Sequence, residues 1–230
     1  MTKNRIKYNA TVTNYCYRDG FVSPTEEAYI EAQARGGPGI VTSGGSYTDP
    51  KEEQKGYVNQ MGCFDDKFIP GMAKLADIIH KYDAVACFQV MPCGRYGGAD
   101  LDYCVGPSAV PQSTTAYKPM RAFSTEEVYV CIQQCIDAFR RAAEAGFDVG
   151  ELGGHVGYLV SNFVSKFTNR RTDEFGGDIK GRMKFVTDII KGTHKVLGED
   201  WPIGIRLSYG ENLGDKGNTL EEGLESMKIA

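Results

Sequence analysis

The densest chemistry in this sequence lies between Glu151 and Arg182. There a glycine-rich turn, a lone histidine (His155), a tyrosine (Tyr158) and a cluster of Asn169, Arg171, Asp173, Gly176 and Gly177 follow directly on a strand-like entry. Glycines let backbone approach a flat or phosphorylated ligand, and the polar cluster is too closely spaced and too mixed in sign for a solvated face. The stretch reads as the active-site rim of an α/β enzyme. Its Asn/Arg/Asp/Gly part reads as structural, a loop locked by arginine–carboxylate bonds and glycine turns, with Arg182 joined to the lock.

The elements that must position this rim alternate. Asn4–Thr13 fits a first strand, and Ser23-Pro24-Thr25-Glu26 opens a helix as N-cap, N1 proline and N3 glutamate. Ile40–Thr42 begins a second strand. The period of residues 72, 75, 78 and 79 predicts a helix over Ile69–Tyr82, and the apolar run Ala84–Met91 predicts a strand covered on both faces. A long loop, Pro92–Phe123, rich in Gly, Pro, Ser and Tyr, follows and reads as an ordered substrate loop. Ser124 and Glu127 form a capping box ahead of an amphipathic helix on Val128, Cys131, Ile132, Cys135, Ile136 and Phe139. Phe147–Leu152 is the strand that delivers the rim, Arg182–Leu197 a helix, Pro202–Ser208 a strand, and Thr219–Ala230 the start of another helix. About five βα units imply a parallel sheet with right-handed crossovers. An open doubly wound sheet and a (β/α)8 barrel both fit this pattern, although no GxGxxG follows the first strand, which disfavours the open dinucleotide fold.

Length and composition bound the function. The 230 residues suffice for one domain with a full core, at 41% hydrophobic and 24% charged residues. A net charge of -4 with interspersed signs offers no basic stripe for nucleic acid and no polybasic membrane patch, so small molecules are the expected partners. No apolar run has signal-peptide or membrane-span length, which points to the cytoplasm. The seven cysteines contain no CxxC pair. Reduced thiols packed as small hydrophobes are expected, Cys131 and Cys135 among them, with no metal site within the chain. His80 and His194 are expected on helix surfaces.

Asn169-Arg170-Arg171-Thr172-Asp173-Glu174-Phe175-Gly176-Gly177, preceded by Gly157–Ser165 and by Ala145–Asp148, resembles the Old Yellow Enzyme family of NADH:flavin oxidoreductases, and within it the 2,4-dienoyl-CoA reductase-like branch. Lys3–Ile6, Gly36–Gly44, Gln89 with Gly94-Arg95, Gly106–Ser108 and Arg206 extend the likeness in order along the chain. The resemblance implies an FMN-dependent (β/α)8 TIM barrel, of which residues 1–230 are the N-terminal portion carrying about the first five βα units. It implies reduction of an activated C=C bond with electrons from NAD(P)H, and any iron–sulfur cluster would lie in downstream sequence. By the same resemblance Ala10, Thr11, Gly44, Gln89 and Arg206 border the flavin, Arg206 stabilising its reduced anion. Tyr158 protonates substrate carbon, and His155 and Arg95 are the candidate substrate ligands. Taken without the family, Arg206 equally suits a strand-end residue paired with a carboxylate, and Tyr158 an aromatic packed under its loop.

The chain also departs from that family. Where it usually reads E-I-H-G-A-H-G-Y-L, with two ring donors for a substrate carbonyl, this chain has Glu151-Leu152-Gly153-Gly154-His155-Val156-Gly157-Tyr158-Leu159. Three readings of His155 stay open: a re-routed donor, a bystander, or a site with a different acceptor. Pro92 replaces a usual histidine, Ala10-Thr11 the usual Pro-Met, and Cys16 takes no flavin-tuning role. The runner-up functions are a flavin-dependent amine dehydrogenase on the same scaffold and a non-catalytic remnant that binds a flavin or a partner barrel. The short barrel is expected either as a piece of a longer enzyme or completed by a partner or a homo-oligomer.

Overall fold

The computed structural model of the chain describes residues 2–110, 118–155, 157–208 and 210–230, so Val156 and the 111–117 part of the long loop lie outside the described residues. In chain order its strands are β1 (Lys7–Tyr8), β2 (Ile40–Thr42), β3 (Val85–Val90), β4 (Cys104–Gly106), β5 (Met120–Ala122), β6 (Val149–Gly154) and β7 (Ile203–Leu207). The helices are α1 (Pro24–Arg35), α2 (Ile69–His80), α3 (Thr125–Glu144), α4 (Leu159–Val164), α5 (Ile179–Leu197) and α6 (Leu220–Ile229).

Strands β1, β2, β3, β6 and β7 form one sheet in that order, every pair parallel. The order never reverses, whereas a doubly wound sheet reverses at its switch point. The helices follow as a single row, α1 against α2, α2 against α3, α3 against α5 and α5 against α6. A singly wound parallel sheet with its helices along one face is a barrel wall, and the chain forms part of a (β/α)8 barrel. The core lies between this wall and its helices. Val41, Ala86, Phe88, Val90 and Leu152 point outward from the strands onto Ile30, Leu75, Ile79, Val128, Cys135, Phe139 and Phe185, all of them buried.

The helix signals act as their chemistry requires. Ser23 accepts the Glu26 amide, and Ser124 with Glu127 completes both halves of a capping box. Helix α3 ends at Gly146, whose φ of 89° lets Phe147 and Gly146 donate back to the carbonyls of Ala142 and Ala143. The first strand is shorter than expected, because only Lys7 and Tyr8 enter the ladder. The rim strand is displaced instead: β6 runs to Gly154, two residues beyond its expected end. The long loop holds a small parallel ribbon, β4 with β5. Helix α5 starts three residues ahead of Arg182, capped by Asp178.

Candidate active site

Strand alternation fixes which residues face the barrel interior. On β6 an added Cβ at Gly150 would meet Phe139 and Trp201 on the helix side, so Glu151 and Gly153 face inward. Parallel register carries this inward face across the sheet, pairing Gln89 with Glu151 and Gly153 with Arg206. The buried Gln89 amide donates from Nε2 to Glu151 Oε1 at 2.7 Å, and the Lys7 ammonium on β1 binds the other carboxylate oxygen. An ion pair with an attached amide therefore crosses the interior from β1 to β3 through β6.

Above this network the mouth is aromatic and basic. His155 follows β6 directly, and its ring meets Tyr158 edge to face with centroids 4.5 Å apart. Because β6 extends to Gly154, the inward period of Glu151 and Gly153 continues to His155, which feels the charges of both Arg206 and Glu151. Burial first, and the Arg206 cation second, lower its basicity below the ordinary 6.5, so the ring is neutral at pH 7. Its Nδ1 is buried and has no hydrogen-bond partner among the described residues.

Tyr158 is the N-cap of α4, and its ring also packs on Tyr96 with centroids 5.4 Å apart. Its hydroxyl shares a hydrogen bond with the Tyr57 hydroxyl. Burial raises the Tyr158 phenol far above its ordinary 10, and either hydroxyl of the pair can be the donor in their shared bond. Arg206 is exposed on the inward face of β7. Arg95 is half-buried beside Tyr96, and its backbone amide donates to Asn162 at 3.1 Å. Its sequence neighbour Tyr96 is the residue that packs on Tyr158. Gly44 lies where β2 leaves the sheet, and a Cβ there would stand 3.0 Å from the Thr11 carbonyl oxygen. The backbone of Thr11 and Val12 therefore lies close against Gly44, with Ala10 the residue before it. The Cys16 thiol is buried and pushed up to about 12, which keeps it protonated. A cavity of about 150 Å³ between Asp49–Gln54 and α3 shares none of these residues.

The polar cluster braces the rim as the sequence suggests. Arg171 grips Asp173 through Nε at 2.9 Å and Nη2 at 2.5 Å, and donates from Nη1 to the Phe123 carbonyl at 2.6 Å. Asn169 Nδ2 donates to the carbonyls of Phe163 and Phe175, both at 2.7 Å. Arg182 joins the lock by reaching Val164, Gly177 and Glu222. Sequence reasoning missed Lys7, Glu151 and Tyr57. Glu151 carried a signal, as an acidic residue on the inward period of the rim strand. Tyr57 carried none, since its partner is 101 residues away.

The whole chain, residues 1–230, matches the family described as NADH:flavin oxidoreductase / NADH oxidase. Among curated proteins it is 37% identical over 230 residues to an NADH oxidase of Thermoanaerobacter brockii, covering 99% of this chain and 35% of that protein. A 2-naphthoyl-CoA reductase solved with 2-naphthoyl-CoA superposes with a TM-score of 0.94 at 39% identity, over 99% of this chain and 36% of that one. Histamine dehydrogenase from Rhizobium sp. 4-9 superposes with a TM-score of 0.86 at 26% identity, over 99% of this chain and 33% of that one. The chain thus spans about a third of the length of these relatives.

Proposed function

Because the chain belongs to the NADH:flavin oxidoreductase / NADH oxidase family, we propose that it supplies the flavin-binding and proton-donating portion of a single barrel domain. In this reading the enzyme is FMN-dependent and reduces an activated carbon–carbon double bond of a small molecule with electrons from NAD(P)H. The residues fit the cofactor. Gly44 offers backbone without a side chain beside the Thr11 carbonyl, and Gln89 and exposed Arg206 present an amide and a guanidinium on one inward face. When bound, the flavin would supply hydride to one carbon of the double bond.

The observation that carries the reading is the position of the Tyr158 phenol, at the start of α4 and edge to face against His155 at the end of the inward face of β6. Ala10, Thr11 and Gly44 would border the flavin edge, Gln89 would meet its polar rim, and Arg206 would supply a positive charge beside it. Tyr158 gives its proton to the second carbon. Neutral His155, whose Nδ1 has no hydrogen-bond partner among the described residues, is the candidate to bind a substrate oxygen, and Arg95 the second candidate substrate ligand beside Tyr96. The 2-naphthoyl-CoA of the similar reductase favours an acyl thioester as the substrate class.

The free, buried cysteines support a cytoplasmic setting. No helix among the described residues is long and apolar enough to cross a membrane. Leu220, Leu224 and Met227 form an exposed apolar stripe on α6, and β1 and β7 pair on one side only among the described residues. Further barrel strands, a partner chain or a second copy would cover these surfaces.

Reconstitution with FMN tests the proposal. In the flavin-loaded protein, Tyr158→Phe should slow reoxidation of the reduced flavin by an enoyl thioester roughly 100- to 10,000-fold and spare flavin reduction by NAD(P)H. An unchanged oxidative half-reaction would refute it. Bleaching by an amine alone would instead establish the amine dehydrogenase reading, which the histamine dehydrogenase likeness favours.

A further inference from the structure

We propose that Tyr57 is a positioning residue that orients the Tyr158 phenol toward substrate and reloads it with a proton from solvent. This rests on the reading of Tyr158 as the proton donor. A phenol has one hydrogen, so Tyr158 can aim it at a substrate carbon only if its hydrogen bond with Tyr57 is donated by Tyr57. The pair then has one productive order. Tyr158 loses its O–H hydrogen to carbon, the Tyr57 hydrogen moves to the Tyr158 oxygen, and water restores Tyr57, with no change in electron count.

The surroundings favour this route. On its other sides Tyr158 meets the rings of His155 and Tyr96, and no hydrogen bond joins its hydroxyl to His155 among the described residues. Tyr57 sits between two clamps. Fully buried Lys55 binds the Arg18 carbonyl at 2.8 Å, Glu52 at 3.1 Å and Asp100 at 3.2 Å. Gln60, also fully buried, accepts from the Gly56 amide at 2.7 Å and donates to the Gly45 carbonyl at 2.9 Å. Backbone fixed on both sides of one phenol holds the oxygen pair in register. Val58, the next residue, is exposed, so the turn that carries Tyr57 meets water.

The test uses the flavin-loaded protein, Tyr57→Phe, Tyr158→Phe and the double variant, with an enoyl thioester as substrate. Tyr57→Phe should lower kcat at least about tenfold and leave KM within about twofold, part of the usual contribution of a positioned acid. The second readout needs no turnover. The Raman tyrosine doublet of Tyr158, isolated as wild type minus Tyr158→Phe, should carry the signature of a hydrogen-bond acceptor and lose it in the Tyr57→Phe background. A donor signature for Tyr158 in the wild type overturns the inference even if Tyr57→Phe does not fold. Normal kcat in Tyr57→Phe beside a slow Tyr158→Phe also overturns it and leaves the proposed function standing. Normal kcat in Tyr158→Phe overturns the parent reading and this inference with it.

Discussion

Gln89 donates its side-chain amide to Glu151 from the directly paired position on the neighbouring strand, at 2.7 Å, and the same carboxylate holds Lys7. Three strands are tied by one buried acid, so its replacement tests whether the network holds the barrel wall. Glu151→Leu leaves the buried Gln89 donor unsatisfied and should cost about 1–3 kcal/mol. Lys7 is partly exposed and can turn to water, which keeps the cost below that of a fully buried broken pair. Denaturant unfolding checks this. A midpoint equal to wild type would show that the carboxylate holds nothing.

His155 supplies a pH prediction. Burial and Arg206 depress its basicity, so the folded protein binds fewer protons here than the unfolded chain. Stability from the neutral ring is therefore present above about pH 6.5 and lost as pH falls through the lower folded value. By NMR the ring should titrate below 6.5. Arg206→Met should move the midpoint up and Glu151→Gln should move it down. A midpoint above 6.5 in the wild type would contradict the burial and the influence of the Arg206 charge alike.

What the sequence reveals and what it hides divide along local and distant physics. Ser23, Ser124 and Gly146 act through neighbours within a few residues, so α1 and α3 are legible to their ends. The βα alternation gives the parallel sheet, but it fits an open doubly wound sheet as well as a barrel, and only the family resemblance points to the barrel. The orientation of His155 depends on where β6 stops, and that is set by pairing with β7, Gly153 against Arg206 and Gly154 against Leu207. Strand ends fixed by ladder partners are invisible in the strand's own sequence. Tyr57 is hidden for the same reason, since only the tertiary clamps at Lys55 and Gln60 bring it to Tyr158.

The rim lock should fail in acid. Arg171 holds the Asp173 carboxyl down at about 2, against an ordinary 3.8. Its contribution is present in full above about pH 4 and is lost as pH falls through the folded value. Asp173→Asn should lower Tm at pH 7, and the gap from wild type should close toward pH 2. A gap of the same size at both ends would mean that the charge of Asp173 is not what secures Arg171.

The last prediction concerns space beneath the mouth. A Cβ at Gly153 would stand 3.0 Å from Met91 Cγ, and one at Gly45 would stand 2.7 Å from Met91 Sδ. Met91 is buried, so its thioether fills the gap that two glycines leave on opposite sides. A ring donor at position 153 therefore conflicts with this methionine. Gly153→His alone should destabilise by about 1–3 kcal/mol, the usual cost of overpacking. Met91→Ala alone should cost about 2–5 kcal/mol through its cavity. The double variant should be more stable than the sum of the two, because the imidazole enters the space the thioether vacates. Unfolding free energies of the four proteins measure the coupling. Additive losses would show that Met91 and residue 153 do not compete for one volume, and the missing ring donor would then need another explanation.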